Sequence, residues 1–361
     1  MEMKRLFNGA PLFPSGAAWE TRSTANSGCC LIPRGSPSEP AIAALIGEER
    51  LNQPDLAGGV VVMLTSAAGS WPPYEHATFR GLCILTPRME FVWKKDSPVL
   101  LPTDGTIDEK GVEDARLTWE NGIFYAWYCG YNGKNGRACL AVSEDLIHWE
   151  KHAPLPGSIN CCDNKDHTAF PEKVGEYYYL LHRPWGTPEF QEHYNMPIRL
   201  ARAKSLLGPW EDLGVLLSPR ENPEHAHDWL GAGAPPISLG DGRFLELYHA
   251  ACYLQDGYRV YNCAAAILDL NRLDPANPAT AVTHRLEPLA VPSPQFPNEC
   301  NEKLRLDNFF PMGAYRYGEN LYLAYGAGDK VSCGAACNFA ELLEEVEKHP
   351  VCERKQHDEI S

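Results

Sequence analysis

A β-unit that recurs five times is the feature of this 361-residue chain that most constrains its fold. A glycine or turn residue followed by an aromatic or aliphatic run appears at 58–67 (GGVVVMLTSA), 122–131 (GIFYAWYCGY), 175–184 (GEYYYLLHRP), 242–251 (GRFLELYHAA) and 319–328 (ENLYLAYGAG). After each of the first four copies comes another apolar strand and a polar turn, starting near Leu82, Ala138, Leu200 and Ala264. A short strand also precedes every copy, around Ser27, Ala115, Thr168, Ala234 and Phe309. Three or four strands at a period of about fifty to eighty residues exceed a hairpin and fall short of a domain, which is the signature of propeller blades. The expected fold class is therefore all-β, a five-bladed β-propeller with a short C-terminal helix, and residues 1–361 are expected to form one domain.

Periodicity supports strands. The apolar runs alternate with period two, are rich in β-branched and aromatic residues, and end in Gly, Asn or Asp. Only 339–348 (FAELLEEVEK) departs from this, with Leu342, Leu343 and Val346 at helical spacing, and it predicts one amphipathic helix on the outside.

Composition narrows the function. The net charge of −15 is spread along the chain and no basic stripe is visible, which excludes a nucleic-acid partner and suits a neutral polyol. No run reaches the length of a transmembrane helix, so no membrane partner is expected. The thirteen cysteines include the adjacent pairs Cys29-Cys30 and Cys161-Cys162, and no CxxC pair has zinc spacing. With no apolar h-region in the first residues (MEMKRLFNGAPLF), reduced, buried thiols and a cytoplasmic location are expected, Cys333 and Cys337 included.

In a propeller the innermost strand of each blade lines the central channel, so residues at the heads of those strands meet at one mouth. Here they are Asn26, Asp114, Asp166 with His167, the 231–233 turn (GAG), and Asp307 with Asn308; Asp329 follows the last aromatic strand. Several carboxylates on one pocket suit sugar chemistry, since glycosidic cleavage needs a proton for the leaving oxygen and a second group to activate or replace the nucleophile. Trp119, Trp127, Trp185 and Trp229 are candidate stacking platforms, each weighed against plain burial in a strand. Glu113 and Asp114 could cap a turn, yet the place of Asp114 at the head of an inner strand makes it the candidate catalytic residue.

The ordered set of 111–118 (GVEDARLT), 165–173 (KDHTAFPEK), 181–184 (LHRP), 231–237 (GAGAPPI), Tyr248-His249, Tyr258-Arg259, 265–270 (AAILDL) and 325–329 (YGAGD) resembles glycoside hydrolase family 130. The matches run from about Asn26 to Lys348. The resemblance implies a five-bladed propeller that acts with inversion on β-mannosides, most members being phosphorylases and a branch being hydrolases. It implies that Asp114 is the general acid, its proton passing through a hydroxyl of the bound mannose. It further implies sugar-binding roles for Asn26, Arg116, Lys165, Asp166 and Asp329, although Arg116 could equally be an ion-pair partner. Arg183, His249 and Tyr258 match phosphate-contacting positions, with inorganic phosphate as co-substrate if the enzyme is a phosphorylase and no other cofactor.

Departures from the family pattern bear on the reaction. The first-blade arginine is replaced by Thr65 and Ser66, and the lysine before the GAG turn by Trp229 and Leu230. A phosphate dianion needs cations, and each lost charged hydrogen bond costs about 1.5–3 kcal/mol, so hydrolysis is favoured and phosphorolysis is the alternative. An inverting hydrolase needs a base; Asp228 is preferred, with Glu224, Glu246 and Glu299 as further candidates. The 225–228 segment (HAHD) reads as a polar loop rather than a metal site, and no metal is expected. A noncatalytic sugar-binding propeller is the remaining alternative, opposed by the retention of Asp114. The substrate is expected to be a small oligosaccharide whose linkage and length depend on 185–196 (WGTPEFQEHYNM). A homo-oligomer is compatible with the resemblance, without a fixed number.

Overall fold

The computed structural model describes residues 1–185, 195–220 and 222–351, and these are almost entirely β. The strands form three sheets of ten, four and eight strands, in which antiparallel runs of consecutive strands can be followed as five units. The first comprises Gly28–Ile32, Val60–Trp71, Tyr74–Leu85 and Phe91–Lys94. The second runs through Gly111–Glu120, Ile123–Tyr131, Gly136–Ser143 and Glu150–His152. Asp163–Ala169, Tyr178–Trp185, Ile198–Ala203 and Glu211–Leu217 make the third. His225–Ala232 leads the fourth, followed by Arg243–Leu254, Arg259–Asp269 and Val282–Ala290, with the short Ile237–Gly240 beside Arg243–Leu254. In the fifth, Leu306–Tyr317, Asn320–Ala327 and Val331–Asn338 are completed by Lys4–Arg5 from the N-terminus, which pairs with Ala336 and Ala335.

Both faces of the middle strands are apolar because each strand packs against a unit on either side. Val60, Val62 and Leu64 join Val112, Leu117 and Phe124 of the second unit, whereas the intervening Val61 and Met63 join Tyr315, Tyr322 and Ala324 of the fifth. Trp127 and Leu140 meet Leu180 and Ala201 between units two and three. Leu181 and Leu200 meet Phe244 and Tyr248 between three and four, and Leu245 and Leu247 meet Phe309, Leu321 and Leu323 between four and five. Consecutive units thus share apolar clusters, and Val61 and Met63 place the first unit against the fifth as well. The leading strands are equally close: a Cβ on Gly28 would lie 2.3 Å from the Ala115 carbonyl oxygen, so only glycine admits this approach.

The C-terminal helix spans Phe339–Glu347, capped by the Asn338 side chain, which accepts from the Glu341 N–H at 3.1 Å. Leu342 and Val346 are buried, while Leu343 is half-buried. Two further short helices, Glu39–Ile46 and Glu48–Leu51, fill the connection inside the first unit. The leading strands of units three and four start earlier than 168 and 234, at Asp163 and His225, because their polar residues hide the strand from hydrophobic periodicity. All twelve described cysteines are free thiols, most of them buried. Among the described residues no helix is long and apolar enough to cross a membrane.

Candidate active site

The polar residues at the heads of the leading strands share a backbone device. Asn26, Asp114, Asp166 and Asp329 all adopt left-handed backbone, with φ of 63°, 47°, 51° and 54°. Asn and Asp tolerate this region better than other non-glycine residues. For Asp114 and Asp166 it coincides with a bulge, the ladder slipping between Glu113 and Arg116 and between Lys165 and Thr168. A bulge re-aims a side chain that regular pleating would direct elsewhere. All four residues line one cavity of 160 Å³, together with Lys165, Arg183, Arg259, Tyr261, Asn308 and Phe310. A larger opening of 880 Å³ also includes Asp329 and Glu113 in its lining.

Asp114 Oδ1 accepts from Asn26 Nδ2 at 3.0 Å, and Asp329 Oδ1 accepts from Asn308 Nδ2 at 2.8 Å. Burial pushes the Asp329 carboxyl above its usual range; Arg259, 4.0 Å away, opposes this and the Asp114 charge reinforces it. Asp166 is buried too, but Arg183, His249, Arg116 and Lys165 overcome the burial and hold it well below the carboxylate range. Arg183 grips Asp166 Oδ2 through Nε at 2.8 Å and Nη2 at 2.5 Å, a fork that fixes the carboxylate.

Arg116 lies beneath the cavity as a clasp between three units. Its Nε donates to the Gly233 carbonyl at 3.0 Å, Nη1 to the Asp114 carbonyl at 2.9 Å, and Nη2 to the Ala232 carbonyl at 2.7 Å and Asp166 Oδ1 at 3.3 Å. His249 is buried beside it, Nε2 standing 3.6 Å from Asp166 Oδ2 and the ring stacked on Phe310 at 4.4 Å. Burial lowers His249 to about 3, which keeps the imidazole neutral. Gly231 permits this arrangement: a Cβ there would lie 2.2 Å from His249 Cε1 and 2.5 Å from Asp166 Oδ2.

Two cations on the cavity wall have unused donors. Lys165 makes no hydrogen bond or ion pair among the described residues, its Nζ lying 5.6 Å over the Trp185 ring. Burial works against its charge, but Asp166 and Asp114 outweigh that and raise its pKa. Among the described residues, the Arg259 side chain has only the 4.0 Å approach to Asp329. A third cation, Arg80, is fully buried and is the antiparallel partner of Ser66, where the sequence pattern lacks its arginine. Its Nε donates to the Val112 carbonyl at 2.8 Å and Nη1 to the Asn26 carbonyl at 3.2 Å, while Nη2 is left without a partner. Burial lowers Arg80 to about 10, still charged at neutral pH.

Several expected residues stand elsewhere. Tyr258 donates to Asp307 Oδ1 at 2.9 Å and does not line the cavity; strand alternation gives that face to Arg259 and Tyr261 instead. Asp228 is bound to His225 Nδ1 at 2.6 Å and lines a separate 440 Å³ cavity. Glu299 is sequestered by Arg5 and Tyr325, Glu246 is buried with Oε1 on the Gly233 N–H and is pushed upward by burial, and Glu224 is exposed. None of the four tryptophans lines the cavity; Trp229 packs behind Tyr261 at 5.5 Å and Trp127 is buried in the core. Of the segment 185–196, residues 186–194 lie outside the described residues.

The family model for glycoside hydrolase family 130, described as beta-1,4-mannooligosaccharide phosphorylase, matches residues 89–348. A 1,2-beta-oligomannan phosphorylase from Thermoanaerobacter sp. (strain X514) is 32% identical over 246 residues, covering 65% of this chain and 71% of that protein. A beta-1,2-mannobiose phosphorylase from Listeria innocua is 29% identical over 237 residues, 66% of this chain and 60% of the relative. In structure, the chain resembles the Listeria innocua beta-1,2-mannobiose phosphorylase in complex with beta-1,2-mannobiose, with a TM-score of 0.70, 20% identity, and coverage of 97% and 100% of the two chains. It is as similar, at a TM-score of 0.69, 19% identity and 94% coverage of each chain, to a structure described as showing that family 130 contains glycoside hydrolases targeting beta-1,2 mannosidic linkages in Candida mannan. With a family match over most of its length and curated relatives of the same kind, the chain belongs to glycoside hydrolase family 130.

Proposed function

We propose that the five units are the blades of one propeller, a single catalytic domain, and that the protein is an inverting phosphorylase of β-mannosides. The observation that carries the reading is the presence of Lys165 and Arg259, two cations with unused donors, on the same cavity wall as the Asn26–Asp114 pair. A phosphate dianion beside three carboxylates requires such groups. The curated relatives being phosphorylases supports the same reaction. The sequence pattern alone favoured hydrolysis because two cations were absent; Arg259 on the cavity wall, and the buried Arg80 across the ladder from Ser66, supply positive charge in their stead. Among the described residues, none of the bases expected from the sequence, Asp228, Glu224, Glu246 and Glu299, lines the cavity, and Asp166, held low by its cations, is a poor proton acceptor.

In this reading the non-reducing-end mannose occupies the 160 Å³ cavity between Asp114, Asp166 and Asp329, with Tyr261 and Phe310 as its apolar walls, and the rest of the oligosaccharide extends into the 880 Å³ opening. Asp114 delivers its proton, through a sugar hydroxyl, to the departing glycosidic oxygen. A phosphate oxygen forms the new bond to the anomeric carbon from the opposite face, giving α-mannose 1-phosphate and a shortened acceptor. Incubation with β-1,2- and β-1,4-mannobiose, with and without phosphate, tests the assignment. Cleavage only with phosphate supports it; free mannose released at the same rate without phosphate refutes it in favour of hydrolysis.

A further inference from the structure

We propose that His225, Asp228 and Cys252 form a binding site for a divalent transition-metal ion of the zinc type, separate from the sugar cavity. Their ligand atoms, a ring nitrogen, a carboxylate oxygen and a thiol sulfur, lie within 4.8 Å of one another. The ladder brings them together. Asp228 and Cys252 are direct cross-strand partners in the fourth unit, so their side chains share a face. His225, three residues before Asp228, belongs on the opposite face of a regular strand, but the register slips between His225 and His227 and restores it to the same side. From the sequence, 225–228 is expected to be a polar loop without a metal; in the structure it is part of the strand His225–Ala232, which sets Asp228 across from the distant Cys252.

The ligand set fits zinc, which accepts nitrogen, oxygen and sulfur at about 2.0–2.3 Å in tetrahedral geometry, so ligand atoms stand about 3.3–3.6 Å apart around it. Small side-chain rotations take the present arrangement to that spacing, opening the 2.6 Å His225–Asp228 contact and drawing in Cys252. A fourth position faces the 440 Å³ cavity, which all three residues line. Asn262 lines that cavity too, and its Oδ1 is buried without a hydrogen-bond partner, an acceptor suitably placed for a metal-held water. Binding replaces the Cys252 S–H bond with a sulfur–metal bond and releases that proton to solvent, with no change of oxidation state.

The test uses the full chain, stripped with a chelator and then equilibrated with Zn²⁺ or Co²⁺. One Zn²⁺ per chain is expected by elemental analysis, and Co²⁺ is expected to give a thiolate-to-cobalt charge-transfer band. Cys252→Ser should abolish the band and Asp228→Asn should lower retained zinc to a small fraction of wild type, both with unchanged circular dichroism. Cys161→Ser, which alters an exposed thiol of the third unit, should change neither. Failure of wild type to retain stoichiometric zinc, or an undiminished cobalt band in Cys252→Ser, would overturn the proposal. These readouts do not depend on the reaction the enzyme catalyses.

Discussion

Arg116 offers the sharpest test of how the site is held. Its guanidinium is buried and serves four acceptors from three units: the Asp114, Ala232 and Gly233 carbonyls and the Asp166 carboxylate. Replacing it by methionine keeps most of the stem volume and removes every donor. Breaking a buried ion pair costs about 3–5 kcal/mol, and Asp166 here keeps its fork to Arg183, which argues for the lower end of that range. Carbonyls left without a donor add about 1–3 kcal/mol each when no water replaces it. Taking the lower end of each term for one ion pair and three carbonyls, a loss of about 6 kcal/mol is expected for Arg116→Met, with turnover lost as well because the Asp114 backbone is released. Arg116→Lys should recover only part of this, since an ammonium cannot serve three directions with the same fork. Urea unfolding followed by tryptophan fluorescence measures the change. A loss below about 1 kcal/mol for Arg116→Met would refute the clasp, given the size of the terms involved.

Further consequences concern the surrounding residues. Gly231→Ala places a Cβ within 2.5 Å of both His249 and Asp166, so it should cost about 1–3 kcal/mol by overpacking and at least about tenfold in kcat/KM; wild-type kinetics in that variant would contradict the geometry. His249 titrates at about 3 when folded, below its ordinary value of about 6.5, so its contribution to stability is complete above that value and is lost as pH falls toward the folded one. Relative to His249→Gln, wild type should lose about 1.4 kcal/mol per pH unit between about pH 6 and about pH 4; parallel stability curves would show the histidine is not held neutral. Arg259→Ala should lower kcat/KM roughly 10- to 150-fold, mostly through the KM for phosphate, as expected for one charge-assisted contact; an effect confined to the KM for the sugar would place Arg259 on Asp329 alone.

Legibility in the sequence followed burial. Strands such as Val60–Trp71 and Asn320–Ala327 are apolar on both faces because a neighbouring unit covers each side, and their repetition reveals the five units. The leading strands of units three and four, DNKDHTA and HAHDWLGA, carry the polar residues of the cavities and lack that signal. Asn26, Asp114 and Asp166 were anticipated at the heads of strands and Asp329 after the last aromatic one, and the structure brings them together. Their shared left-handed backbone follows from bulges and turns that no periodicity announces. Arg80 was hidden because its place is fixed across the ladder from Ser66 rather than along the chain, and Arg259 and Tyr261 because facing depends on the strand's phase. Asp228 lines the other cavity, where the ladder sets it across from Cys252, a partner 24 positions away with no motif to link them.

The central claim is that this cavity transfers mannose to phosphate with inversion. Phosphorus NMR of the first product formed from β-1,2-mannobiose and inorganic phosphate tests it most directly, with Asp114→Asn as the control, expected to be slower by roughly 10²–10⁴-fold. The account predicts accumulation of α-mannose 1-phosphate by the wild type and its loss in the variant. Free mannose with no phosphate ester, the β-anomer as the first product, or undiminished turnover by Asp114→Asn would contradict it.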